Sequence, residues 1–170
     1  KDGVITDTTR IERSLETIQY LRNQGAKIVL LSHLGRPKGQ AQEAMSLAPV
    51  AKKLAEFLDS SVQFLKDDQV VSEDVKKWVK ELKEGEVALL ENTRFVKGEE
   101  ANDDAFADQL ASLGDIYVND AFGTSHRAHA SNVGLANRLP SYLGRLVEQE
   151  LRAFQPVLTE PERPYVAILG

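Results

Sequence analysis

Short, unbroken apolar runs alternate with helical patterns along most of this 170-residue chain. The runs are Ile28–Leu31, Val87–Leu90 and Ile116–Val118, and a fourth short segment, Val62–Leu65, is apolar except at Gln63 and also predicts a strand. A strand that is covered by helices on both faces has this continuous pattern, whereas a strand with one face in water alternates apolar and polar residues. The runs therefore predict buried strands of a parallel sheet.

Apolar residues at helical spacing fill the intervals between the strands. The predicted stripes are Ile11, Leu15, Ile18 and Leu21; Val50, Leu54 and Leu58; Val75, Trp78, Val79 and Leu82; and Phe106, Leu110 and Leu113. Ser46, Ser72 and either Asn102 or Asp103 can cap the later helices. Trp78 lies on an apolar stripe and is predicted to be in the core. Alternating helices and strands predict the α/β class: a doubly wound, Rossmann-like parallel sheet with helices on both faces.

Composition restricts the environment of the chain. An apolar content of 42% and a charged content of 28% are typical of soluble globular proteins. A net charge of -5 disfavours nonspecific nucleic-acid binding, and no apolar run approaches the roughly 20 residues of a membrane span. Cysteine is absent, which excludes disulfides and fits a cytoplasmic protein. We expect neither nucleic acid nor membrane as a partner.

The pattern changes near Pro140. Residues 143–158 predict a longer amphipathic helix, with Leu146, Val147, Leu151 and Phe154 facing inward. Residues 159–164 are typical of a linker, and Tyr165–Leu169 predicts one more strand. We therefore expect a first domain over residues 1–142, a connecting helix, and the start of a second domain. The first residue is not methionine, so we expect a fragment.

Basic side chains follow the predicted strands at one edge of the sheet. In open parallel sheets, ligands bind outside the carboxyl ends of the strands. The groups expected there are His33 and Arg36, Arg94, and His126 and Arg127, with Arg10 joining them from the first helix. Arginine forks bind carboxylate or phosphate at two points and stay charged. Arginines gathered at this edge of the sheet in an otherwise acidic protein predict an anion pocket.

Two alternatives to this interpretation stay open. The stretch Asn119–Ser131 has small residues around Gly123, which would let a ligand approach the backbone, but it could also be an ordinary polar loop. Each arginine could be solvated, or paired with an acid such as Asp120 or Glu91.

Other chemistries lack their motifs. The segment Gly35–Gly39 does not have phosphate-loop spacing, and no G-x-G-x-x-G fingerprint occurs. His126 and His129 are three residues apart but have no third ligand at metal spacing, so we predict no metal site. The acidic run Gly98–Asp104 is interpreted as the solvated start of a helix.

Four segments together resemble the amino-terminal domain of phosphoglycerate kinase. They are Ile5–Ile11, Ser32–Gly39, Leu90–Phe95 and Asn119–Ser131, in the order and approximate spacing of that family. The resemblance covers essentially the whole chain. It implies an enzyme of two doubly wound domains joined by a helix, which transfers the acyl phosphate of 1,3-bisphosphoglycerate to Mg-ADP and yields 3-phosphoglycerate and Mg-ATP.

The resemblance also implies roles for individual residues. The expected substrate-binding residues are Arg10, His33, Leu34, Gly35, Arg36, Arg94 and Arg127, with weaker matches at Gly123 and His126. Arg10 would stabilise the transferring phosphoryl group, and His33, Arg36, Arg94 and Arg127 would hold the other phosphate. The nucleotide site, a first strand and a returning carboxy-terminal segment would lie outside this chain. This chain alone would then bind no nucleotide and be inactive, and the intact protein would be a monomer.

Two other functions stay open from the sequence alone. One is a stand-alone anion-binding module, for instance a sensor of phosphorylated metabolites. The other is a structural or regulatory domain, which would bind no ligand at the rim.

Overall fold

The computed structural model describes residues 4–166, over which helices and strands alternate. The helices are α1 (Thr9–Asn23), α2 (Ala48–Leu58), α3 (Glu73–Glu81), α4 (Lys97–Ala101), α5 (Asp104–Ala111) and α6 (Arg145–Thr159). The strands are β1 (Ile28–Leu30), β2 (Val62–Leu65), β3 (Val87–Leu90), β4 (Tyr117–Asn119) and β5 (Ser141–Leu143). Short 3-10 turns and one π-turn, Ala130–Gly134, lie in the loops.

The strands form two parallel sheets within the described residues. The larger sheet has the order β1-β3-β2, and its register places Ala88 of β3 between Val29 and Gln63. The smaller sheet pairs β4 with β5, with Val118 opposite Tyr142. All pairings are parallel, so the predicted α/β class is confirmed. The predicted strand over 116–118 is present, but it is hydrogen-bonded to β5, a strand that the sequence pattern did not indicate.

The central strand β3 is buried on both faces, as its unbroken apolar pattern predicts. Ala88 and Leu90 belong to a core cluster that includes Val75 of α3 and Phe106 of α5. The alternate residues of β3 face the other layer, which α1 and α2 supply. Val87 packs there with Ile18, Ile28, Leu54 and Leu58, and Leu89 packs with Leu47 and Ala51. Helices therefore cover both faces of the larger sheet.

Two of the predicted helix caps are present. The Ser72 hydroxyl accepts a 3.3 Å hydrogen bond from the Val75 N–H, and an Asp103 carboxylate oxygen accepts one of 2.9 Å from the Phe106 N–H. Between the alternatives Asn102 and Asp103, the cap is Asp103. Asn102 instead ends α4 in the left-handed region, with φ of 51°.

Several packing predictions are wrong. Trp78 is 39% exposed, because Val75 and Val79 of α3, together with Leu82 directly after it, make the contact with the core, and Trp78 is not part of it. On α6, Val147 is buried, but Leu151 and Phe154 are each 47% exposed. This helix packs on α1 through its first turns, and farther along the Phe154 ring stacks on Phe122 with 5.9 Å between the ring centroids, so the later apolar residues are only partly covered by the described chain.

The connecting region also differs from the prediction in its boundaries. Residues 141–143 form β5, so the helix begins at Arg145 rather than at residue 143. The predicted strand Tyr165–Leu169 lies mostly outside the described residues. Of the helices over residues 4–166, none has both the length and the apolar character needed to cross a membrane.

Candidate functional site

The loop after β1 is held by hydrogen bonds from one buried side-chain amide. Asn92, in the loop after β3, is fully buried, and its side-chain nitrogen donates to the carbonyl oxygens of Leu34 and Met45 at 2.8 and 2.9 Å. Its side-chain oxygen accepts a 3.1 Å hydrogen bond from the Arg94 N–H. A single amide thus satisfies three backbone groups and fixes the loops after β1 and β3 against each other.

Gly35 has a conformation and surroundings that suit glycine alone. Its φ is 66°, in the left-handed region, and a Cβ there would lie 2.9 Å from the Met45 sulfur. Because any larger residue would meet both penalties, the turn that presents His33 and Arg36 depends on this glycine.

Arg94 lies beneath this turn in a 3-10 turn, Thr93–Phe95. It is only 7% exposed, and its Nη1 donates a 2.8 Å hydrogen bond to the Gly35 carbonyl oxygen. Its Nε is buried and makes no hydrogen bond within the described part of the chain; the nearest acid, Glu100, has an oxygen 3.6 Å away. The guanidinium is therefore fixed in place while retaining unused donor capacity.

The loop after β4 is braced by two asparagines. The Asn119 side chain accepts from the Ala121 N–H at 3.0 Å and donates to the Asn132 side-chain oxygen at 3.1 Å. The Asn132 side-chain nitrogen donates in turn to the carbonyl oxygens of Thr124 and Arg127, at 3.3 and 3.0 Å. These bonds fix the backbone at Arg127 while its side chain stays exposed.

Electrostatics shows that the separate loops converge on His33. Burial first, and then the positive charges of Arg94, His129, Arg10 and Arg127 in that order, together lower the pKa of this half-buried histidine to about 4. A charge acts in this way only over a limited distance, so these groups lie in the neighbourhood of the imidazole. The structure thus brings together four of the predicted residues: His33, Arg10, Arg94 and Arg127. His33 is neutral at pH 7.

The other predicted residues lie at or beyond the rim. Leu34 is 43% exposed, and Arg36, Gly123 and His126 are exposed. A Cβ on Gly123 would meet nothing within 4 Å, so in this structure no protein contact requires glycine there. Arg36 and His126 are not among the groups whose charge acts on His33.

The acids that could have neutralised the arginines have other partners. Glu91 accepts hydrogen bonds from the Ser46 hydroxyl and the Leu47 N–H, at 2.7 and 2.8 Å. Asp120 accepts from the backbone N–H groups of Leu146 and Val147 at the start of α6. Neither carboxylate forms a recorded ion pair with an arginine of residues 4–166.

The sequence interpretation missed several residues of this site. His129 is not among the predicted substrate-binding residues, yet it is 8% exposed and its charge acts on His33. Asn92 and Asn132 were not singled out, although each fixes a loop that carries an arginine. An asparagine two residues after the end of a buried strand is a signal that could have found Asn92, whereas Asn132 is recognisable only once the loop is folded.

The site is positively charged and suited to an anion. Side chains of Arg10, Arg36 and Arg127 make no hydrogen bond or ion pair with other residues of 4–166. No group of three potential metal-ligating side chains is found over the same residues. The fold and the geometry together define a class: a doubly wound α/β protein with a candidate anion site at the carboxyl edge of its sheet.

The sequence profile of the family described as phosphoglycerate kinase matches residues 1–170. The chain belongs to this family. It is 54% identical over 170 residues to a phosphoglycerate kinase of Finegoldia magna, with all of this chain and 43% of the relative aligned. It is also 54% identical to one from Thermosipho africanus, covering all of this chain and 42% of that relative.

Solved structures agree in fold. Phosphoglycerate kinase from Coxiella burnetii superposes with a TM-score of 0.84 at 40% identity, covering 96% of this chain and 40% of that one. The enzyme from Pyrococcus horikoshii gives 0.87 at 35% identity, covering 96% and 41%. The chain thus spans less than half the length of the relatives it matches.

Proposed function

We propose that this chain is the phosphoglycerate-binding part of a kinase that transfers the acyl phosphate of 1,3-bisphosphoglycerate to ADP. The bond between phosphorus and the carboxyl oxygen breaks, and a bond forms between phosphorus and a terminal phosphate oxygen of ADP. The products are 3-phosphoglycerate and ATP, and the reaction is reversible. Family membership over the whole chain supports this proposal more than the alternatives of a sensor or a structural domain.

The observation that carries the proposal is the convergence of arginine charges on His33. Arg10, Arg94 and Arg127 come from three separate segments, and the charge of each acts on the same imidazole. Self-repulsion of these cations opposes the folded arrangement, and a bound phosphate dianion would relieve it. Arginine forks provide the two-point hydrogen bonds that such an anion accepts.

The non-transferring phosphate is assigned to the deeper part of the site. Arg94 is fixed by Gly35 and cannot move far, so it suits a constant grip on the substrate. Arg127 and Arg36 are exposed and can close on the same phosphate from the rim, and Leu34 and Gly35 form the backbone wall. A neutral His33 donates one hydrogen bond through its N–H without adding a charge. Gly123 and His126 are proposed as secondary contacts in the neighbouring loop.

Arg10 is assigned to the transferring end. It lies in the first turn of α1 with an exposed side chain. Phosphoryl transfer needs alignment and positive charge where negative charge spreads in the transition state, and it needs little covalent help from the protein. An exposed arginine at the carboxyl end of the substrate supplies that charge.

The remaining parts of the reaction are proposed to lie elsewhere in the intact protein. Mg-ADP or Mg-ATP is the co-substrate, and its site is assigned to a nucleotide-binding half outside this chain. We expect α6 to connect the two halves, this chain alone to be inactive, and the intact enzyme to be a cytoplasmic, glycolytic monomer.

A coupled assay of the intact protein tests the proposal. We expect ATP formation that requires both 1,3-bisphosphoglycerate and Mg-ADP, and calorimetric binding of 3-phosphoglycerate at low salt. Binding should weaken as salt rises, because an arginine cluster is screened. Loss of 3-phosphoglycerate binding at low salt in a folded protein would contradict the assignment of the site.

A further inference from the structure

A buried carboxylate lies behind the candidate site. Glu99 belongs to the five-residue helix α4 and is only 2% exposed, although the acidic run around it is typical of a solvated surface. A carboxylate pays a large desolvation penalty in the interior unless donors compensate it. Its charge is felt at the start of β4: burial first, and Glu99 second, raise the pKa of Tyr117 to about 12. This buried acid therefore has partners that hold it there.

Those partners are in the segment that directly follows Arg127. The Ser131 N–H donates to Glu99 Oε2 at 3.0 Å, and the Ser131 hydroxyl donates to Oε1 at 2.5 Å. The His129 Nδ1 lies 3.8 Å from the same Oε1. Glu99 thus holds the Ser131 end of the short stretch from His129 to Ser131 by two hydrogen bonds and lies beside the His129 ring at the other end.

That stretch is tied to the candidate site on both sides. The charge of His129 acts on His33, which places the ring close to the centre of the site. The neighbouring Asn132 donates to the Arg127 carbonyl oxygen at 3.0 Å, and the His129 N–H donates to the same oxygen at 3.2 Å. Any shift of Ser131 therefore moves the backbone that carries Arg127.

A tight fit limits the other positions that the segment can adopt. A Cβ on Gly134, at the end of the π-turn, would lie 2.7 Å from the Ala107 Cβ of α5. The turn consequently lies against α5 with no space to spare, and Glu99 anchors its opposite end.

We propose that Glu99, through Ser131 and His129, is a positioning residue that fixes the backbone carrying Arg127, and the ring of His129, in the place required to bind the substrate's phosphate. This role rests on the proposed function. Glu99 does not touch the substrate; it acts through the segment from Arg127 to Ser131.

Three variants of the intact protein test this role. Glu99→Ala removes both acceptors, and we expect it to raise the KM for 3-phosphoglycerate about tenfold, because a displacement of about 1 Å in a binding group can cost far more than that. Glu99→Gln can still accept from the Ser131 N–H and bond the hydroxyl through its amide, so it should restore most of the affinity. If Glu99→Ala does not fold, Ser131→Ala carries the test with a smaller increase in KM.

Leu58→Ala is the matched control, since Leu58 is buried in the cluster under α1 and α2, away from Glu99. It should lower the Tm without changing the KM for 3-phosphoglycerate. If the KM for 3-phosphoglycerate is unchanged in Glu99→Ala, Glu99 is only a structural residue and the inference is overturned. If Glu99→Ala does not fold, an unchanged KM in Ser131→Ala has the same meaning. An equal rise in the nucleotide KM would also overturn it. The failure of the wild-type protein to bind 3-phosphoglycerate is a different result, which would overturn the proposed function itself.

Discussion

The Nη1 atom of Arg94 lies 2.8 Å from the carbonyl oxygen of Gly35, to which it donates a hydrogen bond. These residues are 59 positions apart in the chain, and they belong to the loops after β3 and β1. The pairing is possible because β1 and β3 are neighbouring parallel strands, whose carboxyl ends meet at one edge. One buried guanidinium thus joins two walls of the candidate site.

Arg94→Ala should mainly raise the KM for 3-phosphoglycerate. A hydrogen bond to a charged group contributes about 1.5–3 kcal/mol, so we expect an increase of about ten- to a hundredfold with a smaller change in kcat. Steady-state kinetics of the intact protein measures both constants. Arg94→Lys keeps the charge but not the fork and should recover only part of the affinity. A large fall in kcat at constant KM would contradict the assigned role.

Arg10→Ala should show the opposite pattern, with turnover lowered more than substrate affinity. Its guanidinium is assigned to the transferring phosphoryl group, whose charge spreads only in the transition state, so its loss should lower kcat about a hundredfold or more. The exposed Arg13 in the next turn is a suitable control, because its ion pair is with Glu150 on α6. Arg13→Ala should leave kcat nearly unchanged. If Arg10→Ala changed only the KM, the two arginine roles would have to be exchanged.

Asn92→Asp should destabilise the fold. The change keeps the side chain's shape but turns a donor toward the carbonyl oxygens of Leu34 and Met45 into an acceptor. Buried groups without partners cost about 1–3 kcal/mol each, so we expect a loss of about 3 kcal/mol in the free energy of unfolding. Denaturant titration measures it. Exposed Asn137 provides the control, and Asn137→Asp should change stability by less than about 0.5 kcal/mol. Equal stability of the two variants would mean that Asn92 does not hold the loops together.

The stability of the protein should depend on pH through His33. Its pKa is lowered from 6.5 to about 4 in the folded state, so between these values the unfolded chain takes up a proton that the folded chain does not. The contribution is fully present above pH 6.5 and is lost as the pH falls toward about 4. Chemical denaturation across this window should show a steeper loss of stability in the wild type than in His33→Gln. Parallel curves would contradict a lowered His33 pKa.

The affinity for 3-phosphoglycerate should fall with ionic strength, and less steeply in Arg36→Gln than in the wild type. Arg36 is exposed, so its interaction with an anion is the most strongly screened. Calorimetry at several salt concentrations gives both slopes. Identical slopes would remove Arg36 from the phosphate site, while leaving Arg94 and Arg127 in place.

The unbroken apolar run Val87–Leu90 determined a strand because burial on both faces leaves no position for a polar residue. β3 followed the prediction fully, and its alternate residues reach two different layers. Trp78 did not follow its prediction. Helical spacing shows which residues share one face of a helix, but not how many of them the neighbouring element covers. The prediction that Leu151 and Phe154 face inward is wrong for the same reason.

The sequence by itself determined the α/β class, the family and which arginines follow which strands. Only the tertiary structure decided that Arg10, Arg94 and Arg127 lie around His33, that Glu91 and Asp120 have backbone partners, and that Glu99 is buried. The reason is physical: local patterns report the period and burial of an element, whereas the distance between two loops depends on strand order and on side-chain contacts that link residues far apart in the chain. His129 and Glu99 show the difference, because the sequence places one in a polar loop and the other at the solvated start of a helix, whereas packing buries both and brings them together.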